Sequence, residues 1–259
     1  MSQCASSWIS STSCIMSSWR NQAGQSIVEF IIVIPIFFAL LFGIFEFTFI
    51  YKAKATLNTA TFEAARAGSL NHGKTAMMVD ALAKGMTPLY MKGHSSTGIV
   101  GMGTAYAQSR AVALAIELLP TVDPVEIISP SPEVVDAFSV QRSVQLASEP
   151  DYKLATFIPS DNLYFRSSDE VAVEVGGETL MLNIQDANIL KIRTLWCYKM
   201  KTPLVSSLIR AVITNPLMSV TAQEQQLCNA GSLVTGGNYL ALRSHAVIRM
   251  QTHFIKEES

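Results

Sequence analysis

The stretch Gly24–Tyr51, GQSIVEFIIVIPIFFALLFGIFEFTFIY, constrains this chain more than any other. From Ile27 to Ile50 almost every residue is apolar. About 24 residues at 1.5 Å rise span about 36 Å, enough to cross a hydrocarbon core of about 30 Å with some tilt. A secretory signal has a shorter apolar core. Here Lys52 and Lys54 follow the run and the helical pattern continues, so the segment is expected to stay on the protein as one spanning helix. Pro35 should bend or loosen it, because proline removes a backbone donor. Gly43 permits close helix contact. Glu46 lies near the far end, where its carboxylate can reach the interface. Glu29 sits near the opposite interface, and a carboxylate at membrane depth needs a partner or a functional reason unless it only marks that interface.

The 259 residues leave room for one large or two small domains beyond this segment. The net charge is −1, so no global field favours nucleic acid. Cys4 and Cys14 precede the apolar run, while Cys197 and Cys228 lie far beyond it. An isolated pair in a domain outside the cytoplasm reads as one disulfide, the alternative being two unrelated buried thiols. Closing a loop of about 30 residues would contribute roughly 3–4 kcal/mol in the chain-entropy view. Charge counts point the other way on orientation. Only Arg20 precedes the run, and Lys52, Lys54 and Arg66 follow it, so the positive-inside tendency favours a cytoplasmic C-terminal side.

Beyond Tyr51, KAKATLNTATFEAARAGSL is rich in helix formers, with Ala53, Leu57, Ala60 and Ala64 at helical spacing. The membrane helix should therefore run on to about Ala67. Residues 74–91 read as a second helix ending before Pro88, 93–103 as a Gly/Ser loop, and 104–119 as a third helix stopped by Pro120. Proline then becomes frequent. Val125–Ile128 reads as a strand, Pro132–Val140 as a helix opened by its proline, and Asp161–Arg166 as a turn. The last third alternates. Val171, Val173 and Val175 are followed by a Gly176–Gly177 turn and then Leu180, Leu182 and Ile184. In ILKIRTLWCYKM, Leu190, Ile192, Trp196, Tyr198 and Met200 share a face opposite Lys191, Arg193, Cys197 and Lys199. Leu240, Leu242, Ala246, Ile248, Met250 and Phe254 predict one long closing strand. Between these strands, Leu204, Val205, Leu208, Ile209 and Val212 share a helical face. The expected fold class is α+β: a long N-terminal helix, half membrane-spanning and half soluble, then further helices and a C-terminal antiparallel sheet.

Little points to catalysis. No C-x-x-C, H-E-x-x-H, G-x-S-x-G or phosphate-loop glycine spacing occurs. The histidines are His72, His94, His245 and His253. On one continuous strand His245 and His253 would stand about 26 Å apart, too far to share a metal. Asp161, Asp169, Glu170 and Glu174 read as solvated carboxylates. Tyr152, Phe157, Tyr164, Phe165, Trp196, Tyr198 and Tyr239 read as core. No cofactor or metal site is expected, and the chain does not read as an enzyme.

One resemblance joins these features. Gly24, four residues, then Glu29-Phe30 ahead of an apolar helix resembles the processing site of type IV pilin-like proteins. With Pro35 in VEFIIVIP, it is most similar to the TadE-like minor pseudopilins of the tight-adherence (Tad/Flp) pilus system. ANILKIRTLWCYKM and AVIRMQT also resemble C-terminal segments of that family. The resemblance implies cleavage between Gly24 and Gln25 by a prepilin peptidase on the cytoplasmic face. Glu29 becomes the fifth residue of the mature chain, available to neutralise the new amine of a neighbouring subunit. Four parts follow: a leader over 1–24, the transmembrane half of the helix over 25–51, a helical segment over 52–120 and a periplasmic α+β head over 121–259. The implied partners are other pilins and pseudopilins, the pilus assembly platform, the peptidase and inner-membrane lipid. The implied role is structural, in pilus assembly, adhesion or secretion. Met16 would give the shorter leader MSSWRNQAG and is expected to be the true start. The alternative function is a single-pass anchored periplasmic subunit that binds a ligand.

Overall fold

The apolar run and the Ala-rich stretch after it form one helix, α1, Gln25–Leu70. A computed structural model describes residues 25–91, 98–119, 122–145, 152–213 and 223–255. Helices α2 (Thr75–Tyr90) and α3 (Ile99–Glu117) follow, then β1 (Val125–Ser129), α4 (Pro132–Phe138), β2 (Val140–Gln145) and β3 (Tyr152–Ile158). The hairpin β4 (Val171–Val175) and β5 (Glu178–Leu182) leads through α5 (Ile184–Ala187) to β6 (Ile189–Lys199). After α6 (Pro203–Ile213) and α7 (Gln223–Thr235) come β7 (Tyr239–Arg249) and β8 (Phe254–Ile255). The fold is mixed helix and antiparallel sheet. The strands form three sheets, ordered β1-β6-β7, β2-β3-β8 and β4-β5, where the alternation alone predicts one.

The chain divides into two compact units between Thr48 and Phe49. In the first, α1 continues through Pro35, since a single missing donor leaves the flanking hydrogen bonds in place. Its large apolar side chains are exposed on every side from Ile27 to Phe47, as suits a helix whose solvent is lipid or other helices. Glu46, expected to reach the interface, is instead fully buried.

In the second unit the rest of α1 is a core element. Ala53, Leu57, Ala60 and Ala64 are fully buried at spacings of four, three and four, joined by Ala65, so one stripe of the helix faces inward. Small side chains let neighbours approach closely. A Cβ on Gly85 of α2 would stand 2.6 Å from Ala60 Cβ and 2.7 Å from its Cα. Polar groups on α1 are satisfied by the central sheet. Thr61 and Thr194 hydroxyls share a hydrogen bond of 2.6 Å, and Ser244 Oγ donates to Asn58 Oδ1 at 2.9 Å. The helix ends where Asn71 Nδ2 donates to Ala67 O at 2.8 Å and Gly73 turns at φ +79, a left-handed cap that glycine adopts at no steric cost.

The central pairing is β6 with β7, in register from Ile189↔Arg249 to Lys199↔Tyr239. Leu190, Ile192, Trp196 and Tyr198 are buried as the alternation requires. Trp196 Nε1 donates to Tyr90 Oη at 3.0 Å, and burial pushes the Tyr90 phenol up to about 12. On the opposite face Cys197 is bonded to Cys228 of α7, with their Cα atoms 5.5 Å apart, tying the helix to the sheet across 31 residues.

Several expectations are corrected. Helix α2 runs past Pro88 to Tyr90; there Thr87 Oγ1 donates to Ala83 O at 3.1 Å, and Leu89 and Tyr90 pack on the core. Helix α3 begins at Ile99, so the second half of the expected 93–103 loop is helical, extended from the Ala-rich turns after it; residues 92–97 lie outside the described residues. The hairpin of β2 and β3 was not foreseen, because VQRSVQ carries no continuous apolar face. Ile184 opens a short helix instead of closing a strand, since Asn183 and Asp186 form a reciprocal capping box. Tyr164 and Phe165 are 91% and 83% exposed, not core. They stack edge to face at 5.2 Å. The side chain of Tyr152 lies outside the described residues.

The closing strand also differs. It stops at Arg249, and Phe254–Ile255 pair with β3 in the second sheet. The bend is held by Thr252 Oγ1, which donates to Ser69 O at 3.0 Å. It lifts His253 out of the strand geometry that His245 keeps. The His253 ring stacks on Phe157 at 4.7 Å. Its Nδ1 accepts the Ser160 backbone N–H at 3.0 Å, while His72 Nδ1 donates to the His253 carbonyl at 3.0 Å. Burial holds the His253 imidazole below its ordinary value; Asp161 opposes this, and His72, Arg166 and Arg142 reinforce it.

Gly85→Leu should lower stability by about 1–3 kcal/mol through overpacking against the Ala60 backbone, read by denaturant unfolding of the full chain in detergent. Gly103→Ala, where a Cβ meets nothing within 4 Å, should be neutral or raise stability by up to about 1 kcal/mol. The neutral form of His253 is the one the fold prefers, so its contribution is complete above the unfolded value near 6.5 and is lost as pH falls through the lower folded value. The unfolding midpoint should hold steady above about pH 7 and decline below about 6.5. His253→Asn, which keeps an acceptor for Ser160, should flatten that decline; an unchanged slope would exclude His253 as its source.

Candidate functional site

The sequence singles out the start of α1. Gln25 is the first residue of the helix, and Glu29 lies four residues on, so both fall on one face about 6 Å apart along the axis. Glu29 and Phe30 are exposed, with Ile31, Ile32 and Val33 equally exposed beside them. Local sequence explains the helix: no glycine interrupts 25–42, and bulky apolar side chains cover the backbone. Gly24 and the residues before it, including Met16, Cys4 and Cys14, lie outside the described residues. The arrangement places one carboxylate within a turn of residue 25, ahead of a long apolar run. Such a group can pair with a cation on another helix, and pairing offsets the desolvation of both charges.

Elsewhere the polar groups form pairs on the surface of the head. Asp161 accepts from Arg166 Nη2 at 2.8 Å, and this bond holds its carboxyl below the usual range. Glu170 and Glu174 are exposed, and Asp169 is exposed with its backbone N–H on Ser167 Oγ at 3.1 Å. Asp80 is held low by its bonds to Lys84 and to the Tyr106 hydroxyl, in that order. Among the described residues no group of three or more His, Cys, Asp or Glu side chains could hold a metal ion. His94 lies outside them. His245 is exposed on β7, and His253 is engaged at the β3–β8 seam.

Among the described residues, two open cavities of the head stand out. One of about 420 Å³ is bounded by the end of α2, Gln108 of α3 and Tyr198 to Lys201. The other, about 240 Å³, lies between α3 and α7 beside the Cys197–Cys228 bond and is almost entirely apolar. Sequence reasoning missed the first because it is assembled from three separated segments. A cation–π contact was missed as well: Lys201 Nζ lies 4.5 Å over the Phe49 ring. Its one sequence signal is a lysine directly ahead of an amphipathic helix.

Helix α1 is long and apolar enough to cross a membrane. Comparison with known proteins bears on the same helix. A family model described as TadE-like protein matches residues 24–66. No curated protein and no solved structure matches the chain. The match opens on Gly24, includes Glu29 and Phe30, and ends four residues before α1 does. Residues 24–66, most of which lie in α1, are thus similar to the TadE-like family.

Proposed function

We propose that the chain is a minor pseudopilin of a Tad (Flp) pilus or a related secretion machinery, matured by prepilin peptidase. The observation that carries this reading is the coincidence of the TadE-like match, residues 24–66, with a single helix that is apolar at one end and a core element at the other. Cleavage after Gly24 on the cytoplasmic face frees the amine of Gln25. That amine is a cation at the membrane, and Glu29 of a neighbouring subunit neutralises it. The pair fixes axial register as the helix enters a bundle of pilin helices. Removing either partner strands the other charge.

The head then lies in the periplasm of a cell with an inner membrane, and the Cys197–Cys228 bond suits an oxidising compartment. Its contacts are with other pilins, pseudopilins and the assembly platform. Its work is to start, cap or prime a filament.

Intact-mass measurement of the membrane-bound protein tests the reading. The mass should begin at Gln25 in cells that contain the peptidase. Gly24→Leu should leave the leader attached, because a bulky side chain blocks the cut. Glu29→Gln should still be cleaved but should fail to co-purify with pilin subunits. A wild-type mass that retains the residues before Gln25 would contradict the proposal.

A further inference from the structure

The head carries charge of opposite sign on two outward sheet faces. The first belongs to the central sheet. Along β7, Leu242, Ser244, Ala246 and Met250 are buried, while Arg243, His245, Val247 and Arg249 are exposed, so the second set shares the outer face. Lys191 of β6 is exposed on the same face, directly opposite Val247. Helix α7 lies over one end of this face, where Cys228 is bonded to Cys197 and Glu224 pairs with Arg243 at 3.0 Å. Arg193 is held by Glu126, to which its Nε donates at 3.0 Å. The other end presents Lys191, His245 and Arg249 around Val247, which is 57% exposed.

The second face belongs to the hairpin β4–β5. Ala172 pairs with Met181 and Glu174 with Thr179, which puts these four on one face, and all four are exposed. Val173 is buried and turns the opposite face inward. Glu170, two residues ahead of Ala172, is exposed as well. From Asp169 to Glu178 the chain holds four carboxylates and no cation.

The two faces match in pattern. Glu170 and Glu174 stand two residues to either side of Ala172, with Met181 beside it. His245 and Arg249 stand two residues to either side of Val247, with Lys191 beside it. Each charged pair spans about 13 Å along its strand, so charges can meet at both ends while Ala172 and Met181 cover Val247. Among the described residues none of Glu170, Glu174, Lys191 and Arg249 is in an ion pair. Each copy therefore offers both halves of a contact, and a net charge of −1 sets up little long-range repulsion between copies.

We propose that the outer face of β6 and β7 docks on the β4–β5 hairpin of a second copy of this chain. Arg249 meets Glu174, Lys191 and His245 face Glu170, and Val247 packs on Ala172 and Met181. The two patches differ, so the contact is heterologous, and its repetition sets heads in a row instead of closing a two-fold pair. The inference concerns the head alone and does not rest on cleavage after Gly24.

Cross-linking between two differently tagged copies tests it. Both are full chains co-expressed in one membrane, with Cys4 and Cys14 changed to Ser and the native disulfide kept. One carries Ala172→Cys and the other Val247→Cys, and a short bismaleimide is added to isolated membranes. The species bearing both tags should form about fivefold or more above the yield of Ala172→Cys with Gln226→Cys, a control on α7, because docking raises the effective concentration of the 172–247 pair alone. Adding Glu174→Lys to the first copy, or Arg249→Glu to the second, should lower the 172–247 yield about fivefold, and the two together should restore it with the signs exchanged. Equal yields for 172–247 and 172–226 would overturn the proposal, as would failure of the paired exchange to restore the yield. A 247–247 species in excess of 172–247 would make the contact two-fold and overturn it too. Absence of the 172–247 species, with binding to a polyphosphate resin that Arg249→Glu abolishes, would give the basic face to an anionic polymer and also overturn it.

Discussion

The structure depends on one inward stripe of α1, three alanines and a leucine. Ala53, Leu57, Ala60 and Ala64 put one face of α1 into the core of the head, and the closeness of Gly85 to Ala60 shows how little space that face allows. Larger residues would hold α2 and the sheet away. With the stripe in place, Thr61 and Asn58 meet Thr194 and Ser244 of the central sheet, and buried polar groups on both elements are satisfied together. The helix that supplies the apolar run thus also supplies the centre of the folded unit.

What lies around the sheet is stapled or capped locally. The Cys197–Cys228 bond restrains α7 on the face opposite Trp196, and it removes loop entropy from the unfolded chain. The second sheet is locked by a different device, the bend at 250–253, where His253 Nδ1 accepts from the Ser160 backbone N–H just beyond β3 and Thr252 Oγ1 donates to Ser69 O at the end of α1. Both devices act over long sequence separations, so the end of the chain completes contacts begun by its first helix.

Much of this was legible in the sequence where periodicity is strong. The apolar run, the alanine stripe and the alternation of β6 each carry a clear period, and each forms the expected element. The disulfide was legible by count, since only Cys197 and Cys228 lie beyond the apolar run. Local pattern failed where tertiary context decides. Phe254 continues the alternation of β7, but a bend between them sends it to another sheet. The strands β2 and β3 lack an apolar face, and their pairing with β8 is not local. Tyr164 and Phe165 are aromatic and yet stand in solvent, which composition cannot reveal. At the candidate site, Glu29 and Phe30 are singled out by their spacing from Gly24, and both are exposed on α1. The approach of Lys201 to Phe49 was not legible, because about 150 residues of chain separate the two and no local rule links them.

The central claim is that the outer half of α1 is core and not stalk. Hydrogen exchange on the full chain in lipid nanodiscs tests it directly, by comparing amides of residues 57–66 with those of β6. The account predicts that both exchange only through global unfolding of the head, at matching rates and with the same denaturant dependence. Exchange of 57–66 at the rate of a solvated helix, while β6 stays protected, would contradict it.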